Sequence, residues 1–174
     1  MQAETIHMLT AHQLDKLERI YAARTRMVPL PLQEQGYQDP AEQWQIFQLQ
    51  RHSEDHYYLI PTAHGRPRVP PVQAFYTFVI LQDDPGRVYC GLAGGLASRI
   101  EFEVEGHTSL SMRAPVLYAG TILFNQGRLV RWTNGSGHYR PPGSLATVNL
   151  IPAVRRLLPE EKFRDIFSLM SPRD

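Results

Sequence analysis

"APVLYAGTILFNQGRLVRWTN", residues 114–134, decides the fold class. Two runs rich in branched and aromatic side chains flank Asn125-Gln126-Gly127, with glycine where a tight turn needs a left-handed backbone. The stretch predicts an antiparallel hairpin. On its return strand Val130 and Trp132 alternate with Leu129 and Arg131. A lone hairpin cannot bury its apolar face, so the flanking sequence must supply further strands. "AFYTFVIL", 74–81, is nearly all apolar or aromatic and predicts a central strand buried on both faces. "DDPG", 83–86, is a turn signal, and "GRVYCGL", 86–92, predicts the next strand. In "ASRIEFEVEG", 97–106, Ile100, Phe102 and Val104 alternate with Arg99, Glu101, Glu103 and Glu105, which predicts a strand with one wet face.

Helices are expected on both sides of this sheet. In "AHQLDKLERIYAARTRM", 11–27, Leu14, Leu17, Ile20 and Tyr21 form one apolar stripe, and Pro29 and Pro31 end the run. A second helix is predicted from "DPAEQ", with Asp39 as cap, Pro40 in the first turn and Glu42 completing a capping box. It would turn Trp44 and Phe47 inward and fade near "RHSEDH". "AHGRPRVPPVQ", 63–73, reads as a loop. Ser144 can cap a last helix over "SLATVNLIPAVRRLL", kinked or broken at Pro152, and "PEEKFRDIFSLM" adds a further turn or two. The expectation is one α+β domain over residues 1–174. It has a helical N-terminal part (1–60), a mainly antiparallel central sheet with the site region (74–143), and a C-terminal helical part (144–170). Trp44, Phe47, Phe75, Phe78, Ile80, Leu117, Leu123 and Leu145 are expected to share one core.

Composition narrows the function. The chain has 174 residues, 43% of them apolar and 20% charged, with a formal charge of +1. That balance suits a folded domain and gives no strong nucleic-acid signal. Cys90 is the single cysteine, so internal disulfides and cysteine-rich zinc sites are excluded, and its apolar setting suggests a buried, inert thiol. No run is long and apolar enough for a membrane span, and "MQAETIHMLT" lacks signal-peptide character. The expected location is the cytoplasm of the producing cell, with any export independent of a cleavable signal.

Polar, reactive groups concentrate directly after the hairpin, in "TNGSGHYRP", 133–141. His138 sits beside Gly135 and Gly137, which permit close approach of a ligand. Ser136 and Tyr139 add hydroxyls, and Arg140 can grip a phosphate or carboxylate at two points. His107, in "EGHTSLSMR", is placed just past the alternating strand, so the two histidines can meet as an acid–base pair near neutral pH. Ser109 beside it is a candidate nucleophile or binding group. The alternative is a structural corner whose polar side chains satisfy their own backbone. His52 and His56 are spaced for a metal only on a continuing helix, so no metal site is expected. The Glu-x-Glu pattern at 101 and 103 resembles the acidic pair of arginine-directed ADP-ribosyltransferases. It lacks their Ser-Thr-Ser stretch and reads as a charged strand face. The sequence leaves any cofactor unknown.

"HTSLSMRAPVLYAGTILFNQGRLVRWTNGSGHYRP" resembles a segment of the plant IQ-motif calmodulin-binding proteins and of bacterial and fungal proteins that share the domain. The match falls on His107, Ser109, Ala119, Gly120, Gly127 and the hexapeptide "SGHYRP", Ser136 to Pro141, within residues 74–158. No IQ motif is present, so calmodulin binding through one does not carry over. The segment after His107 is poorer in small residues than the family's. The resemblance implies a site around His138 in a bacterial effector- or toxin-type enzyme domain of unspecified reaction, with a host or target protein or a cognate immunity protein as partner. The rival expectation is a non-catalytic binding, immunity or regulatory module.

Overall fold

A computed structural model describes residues 10–24, 27–33, 36–54, 56–71, 73–95 and 100–170. Its centre is a seven-stranded sheet in the order β2-β1-β4-β3-β5-β6-β7. The strands are β1 (Phe47–Ser53), β2 (His56–Pro61), β3 (Ala74–Leu81), β4 (Asp84–Gly95), β5 (Val116–Asn125), β6 (Arg128–Thr133) and β7 (Phe163–Arg164). All neighbours are antiparallel except β6 and β7. Five helices accompany them among the described residues: α1 (Ala11–Arg24), α2 (His107–Ser111), α3 (Leu145–Val148), α4 (Pro152–Leu157) and α5 (Ile166–Met170). The α+β class is as expected. No helix among the described residues is long and apolar enough to cross a membrane.

The decisive hairpin forms as β5 and β6, with both turn residues at positive φ, Gln126 at 51° and Gly127 at 80°. β6 does not alternate as expected. Leu123 pairs with Arg131 but Phe124 pairs with Leu129, so a bulge places Val130 as an extra residue. Leu129 and Trp132 therefore both turn inward, while Val130 and Arg131 face outward. Gly120 of β5 is needed for contact with β6, because a Cβ there would strike the Thr133 carbonyl oxygen.

The two faces of the sheet have different covers. One carries Tyr76, Phe78, Ile80, Cys90, Ile122, Phe124 and Trp132 against Leu150, Ile151, Val154 and Leu158 from and around α4. Each such large apolar side chain contributes roughly 1.5–3 kcal/mol before conformational entropy. The other face is covered over only part of its area, where Val79, Val116 and Ala119 pack under Leu110 of α2, Leu30 and Tyr139. The rest of that face stays open. The chain before the sheet is laced over it by Asn149, whose amide accepts from Val28 N (2.9 Å) and donates to Val28 O (2.7 Å) and Leu117 O (2.8 Å).

Several elements differ from expectation. The predicted second helix is a short 3-10 turn, Gln43–Gln45, followed by strand β1, so the described residues up to 60 hold one α-helix, this turn and the β1–β2 hairpin. Phe47 and Leu49 are buried with a partly exposed Gln48 between them, a period of two that the capping signal masked. Trp44 is 44% exposed, packed edge-on to Phe102 (5.4 Å) outside the core. The alternating strand at 97–106 is also absent where it is described. Residues 100–102 form a 3-10 turn and Glu103 makes one isolated bridge to Leu92, while residues 96–99 lie outside the described residues. The C-terminal helix is broken just before Pro152, as that proline implied, with α3 ending at Val148 and α4 starting at Pro152, but the following segment includes β7, which was not expected. The β3–β4 turn is Gln82-Asp83, and Pro85-Gly86 belong to β4. Of the eight expected core residues, Phe47, Phe78, Ile80 and Leu117 lie in the larger cluster and Leu145 packs against it. Leu123 is half-buried and Phe75 is 40% exposed on the open face. In α1, Leu17 and Ile20 remain about two-fifths exposed at 40% and 39%.

Candidate functional site

Residues 134–141 leave the end of β6 as a closed loop. Its neck is Asn134, fully buried, whose Nδ2 donates to Pro141 O (3.0 Å) and to Asp165 Oδ1 (2.9 Å). The same amide accepts from Ile166 N (3.0 Å), which ties the loop to the start of α5. Inside the loop Ser136 Oγ accepts from Tyr139 N (3.3 Å), and Ser136 O accepts from Arg140 N (2.8 Å). This is one helix-like turn held by its own serine. Tyr139 is the plug. Its ring is fully buried, and its hydroxyl donates to Ala114 O (2.6 Å) and accepts from Ser111 Oγ (2.6 Å). Burial raises the phenol's pKa, opposed by the Ser111 hydrogen bond and the charge of Arg113.

Both histidines are engaged by backbone carbonyls. His107 opens α2 and is 6% exposed, not a strand-end residue at the surface. Its Nε2 donates to Gly120 O (2.7 Å) in β5. Burial pushes its pKa down to about 4, the hydrogen bond to Gly120 opposes the fall, and the nearby His138 adds to it. His107 is therefore a neutral imidazole at neutral pH. His138 is half-buried, and its Nε2 donates to Gly36 O (3.0 Å) while its own carbonyl accepts from Gln33 N (2.7 Å). It fastens Gln33 and Gly36 to the loop. Ser109 is fully buried: Oγ accepts from Gly106 N (3.3 Å) and its carbonyl from Ala41 N (2.9 Å). Arg140 is exposed at φ 43°, with Nε folded back to Gly137 O (3.3 Å).

The space beside this loop is a groove of about 400 Å³ on the open part of the sheet. Its floor follows the strand register. Phe75, Leu123 and Arg131 form one cross-strand row, and Thr121 and Thr133 part of the next. The Thr121 and Thr133 hydroxyls are hydrogen-bonded to each other (2.7 Å), and Gly135 N donates to Thr133 Oγ1 (3.1 Å). Gly135, Ser136 and Gly137 form one bank, Ile166 and Phe167 of α5 another. Sequence reasoning named Ser136 but missed the rest of this groove, including its cation. Arg131 lines it and Arg140 does not. The available signal was the pairing of "AFYTF", "GTIL" and "RWT", which puts Phe75, Leu123 and Arg131 in line once the hairpin register is set.

Other sequence candidates are dispersed. His52 and His56 sit on paired strands rather than one helix face, with Ser53 Oγ bonded to His56 Nδ1 (2.8 Å). No group of three or more metal-binding side chains is assembled among the described residues. Cys90 is fully buried, and burial raises its pKa, so it is held as a thiol. No family model, curated protein or solved structure matches the chain.

Proposed function

We propose that the chain is a binding module in which residues 133–141 act as a structural corner, and that the groove beside the corner takes an extended segment of a partner protein. One observation carries the reading. Ser109, Ser136, Tyr139 and His107 spend their polar atoms on hydrogen bonds within the protein, whereas Phe75, Leu123 and Arg131 line an open groove. No hydrogen bond or ion pair engages the Arg131 guanidinium among the described residues. The complementary segment has apolar or aromatic side chains for Phe75, Leu123 and Phe167 and a carboxylate for Arg131. The partner is a target protein or a cognate immunity protein. Selection from a random peptide library tests this. Wild-type protein enriches acidic–aromatic peptides, and Arg131→Glu loses them while melting normally. Enrichment indifferent to Arg131→Glu and to Phe75→Ser would overturn the groove.

A second reading, an effector- or toxin-type enzyme domain centred on His138 with His107 and Arg140, is supported by the electrostatic influence of His138 on His107. The two readings part on His138→Ala. Corner function predicts a lower melting temperature with partner binding retained. Catalysis predicts loss of toxicity in a bacterial or yeast host with the fold intact.

A further inference from the structure

The opposite face of the sheet holds a second, smaller cavity of about 230 Å³, lined by Phe47, Leu59, Tyr76, Leu92, Phe102 and Arg68. Its walls are apolar and aromatic, and two polar groups converge on it. Tyr76 is 5% exposed. Its hydroxyl has no hydrogen-bond partner among the described residues, yet no fully buried side-chain oxygen or nitrogen there goes unpartnered. The hydroxyl therefore reaches accessible space, and the space that Tyr76 borders is this cavity. Burial raises the phenol's pKa, opposed by the charge of Arg68, so it is a protonated donor at neutral pH.

Arg68 stands at the rim. Its backbone is pinned by two hydrogen bonds to Leu59, N to O (2.9 Å) and O from N (2.8 Å). Its guanidinium lies over Phe102 (4.6 Å) and near Phe47 (5.8 Å). Stacking fixes the plane of the fork and leaves its edge available. No carboxylate or carbonyl hydrogen-bonds to it among the described residues. A phenol hydroxyl and a stacked guanidinium, neither with a hydrogen-bond partner among the described residues and both on an apolar cavity, match one ligand chemistry. An apolar cavity of about 150 Å³ accepts benzene, so this one has room for a single ring with a substituent.

We propose that this cavity binds a small apolar carboxylate, with a ring or compact branched chain against Leu59, Leu92 and Phe47 and a carboxylate between the Arg68 guanidinium and the Tyr76 hydroxyl. The site is separate from the groove, because Phe75 and Tyr76, adjacent in β3, face opposite sides of the sheet.

The test titrates the full chain with benzoate and with benzyl alcohol, its uncharged counterpart, by calorimetry and amide NMR shifts. Benzoate binds more tightly than benzyl alcohol, with shifts centred on Leu59, Tyr76 and Leu92. Arg68→Met keeps the apolar stem and abolishes the preference. Tyr76→Phe weakens benzoate about tenfold, the effect of one hydrogen bond to a charged group, with little change in benzyl alcohol binding. It also melts like wild type, since the hydroxyl has no partner to lose among the described residues. Should Tyr76→Phe fold poorly, Val69→Trp at the exposed mouth is the second variant, and it blocks both probes. Equal affinity for the two probes, no saturable shift at the solubility limit of benzoate, or shifts centred elsewhere would each overturn the site. Failure here leaves the groove reading intact, because none of these variants touches Arg131, Phe75 or Leu123.

Discussion

His107 makes the fold acid-sensitive in a window that its surroundings define. The imidazole is 6% exposed at the start of α2, and burial takes its pKa from 6.5 down to about 4. The unfolded chain binds a proton at this residue below pH 6.5, and the native state resists doing so until about pH 4. The unfolded state holds the extra proton between those values, so its stabilising contribution is complete above pH 6.5 and is lost as pH falls towards 4. The full loss is roughly 3 kcal/mol, of which about 2 kcal/mol is gone by pH 5. Carboxylates titrate in the same range, so the experiment is a difference: urea unfolding of wild type and His107→Gln at several pH values from 7 to 4. Glutamine can still donate to the Gly120 carbonyl but does not titrate. His107→Gln is less stable at pH 7 and loses less on acidification, and the two curves converge near pH 4. Parallel curves would refute the argument, and so would an NMR titration of His107 with a midpoint near 6.5.

Other substitutions probe the corner, β5 and the Asn149 clamp. Tyr139→Phe leaves Ala114 O and Ser111 Oγ without their buried partner and lowers stability by about 1–3 kcal/mol in urea unfolding, with the Ser111→Ala/Tyr139→Phe double variant costing less than the sum of the singles. Gly137→Ala is neutral within about 0.5 kcal/mol, because no heavy atom lies within 4 Å of the added Cβ, whereas Gly120→Ala drives a Cβ into the Thr133 carbonyl and costs more than about 3 kcal/mol or prevents folding, as circular dichroism and melting will show. Asn149→Ala removes three hydrogen bonds between the chain near Val28, β5 and itself, and lowers stability by roughly 2–4 kcal/mol while making the bonds before residue 30 more susceptible to limited proteolysis.

The sheet's centre was legible because its signals are local. "AFYTFVIL" is apolar on both faces, as a middle strand must be, and the Gln126-Gly127 turn sets the β5–β6 register. The edges were not. At 39–51 a good helix start, with proline and a capping residue, spans only a single 3-10 turn before β1 takes over. Nothing local reports that Phe47 and Gln48 will pair with Cys90 and Tyr89, some forty residues away, and a partner strand outweighs helix propensities of a few tenths of a kcal/mol per residue. The same override took "EFEVE" the other way. An alternating pattern finds no ladder beyond one bridge from Glu103 to Leu92, so Phe102 turns to stack with Trp44, Phe47 and Arg68.

The site shows a different limit. Residue type identifies what a side chain can do, while hydrogen-bond partners decide what it does. "SGHYRP" has the composition of a reactive loop, yet its serine caps its own turn, its tyrosine plugs the space under Ala114 and its histidine holds Gly36. These bonds are possible because Asn134 closes the loop at Pro141 and anchors it to Asp165 and Ile166, two residues that lie well outside the hexapeptide in sequence. The consequence for function is positional. Under the proposed binding role, a loop held in this way serves as a wall of the groove, because a fixed wall costs little to order when a ligand binds beside it. Arg131, in the bulged strand leading into the loop, is the cation that lines the groove, while Arg140, nine residues further along, has its Nε turned to the Gly137 carbonyl.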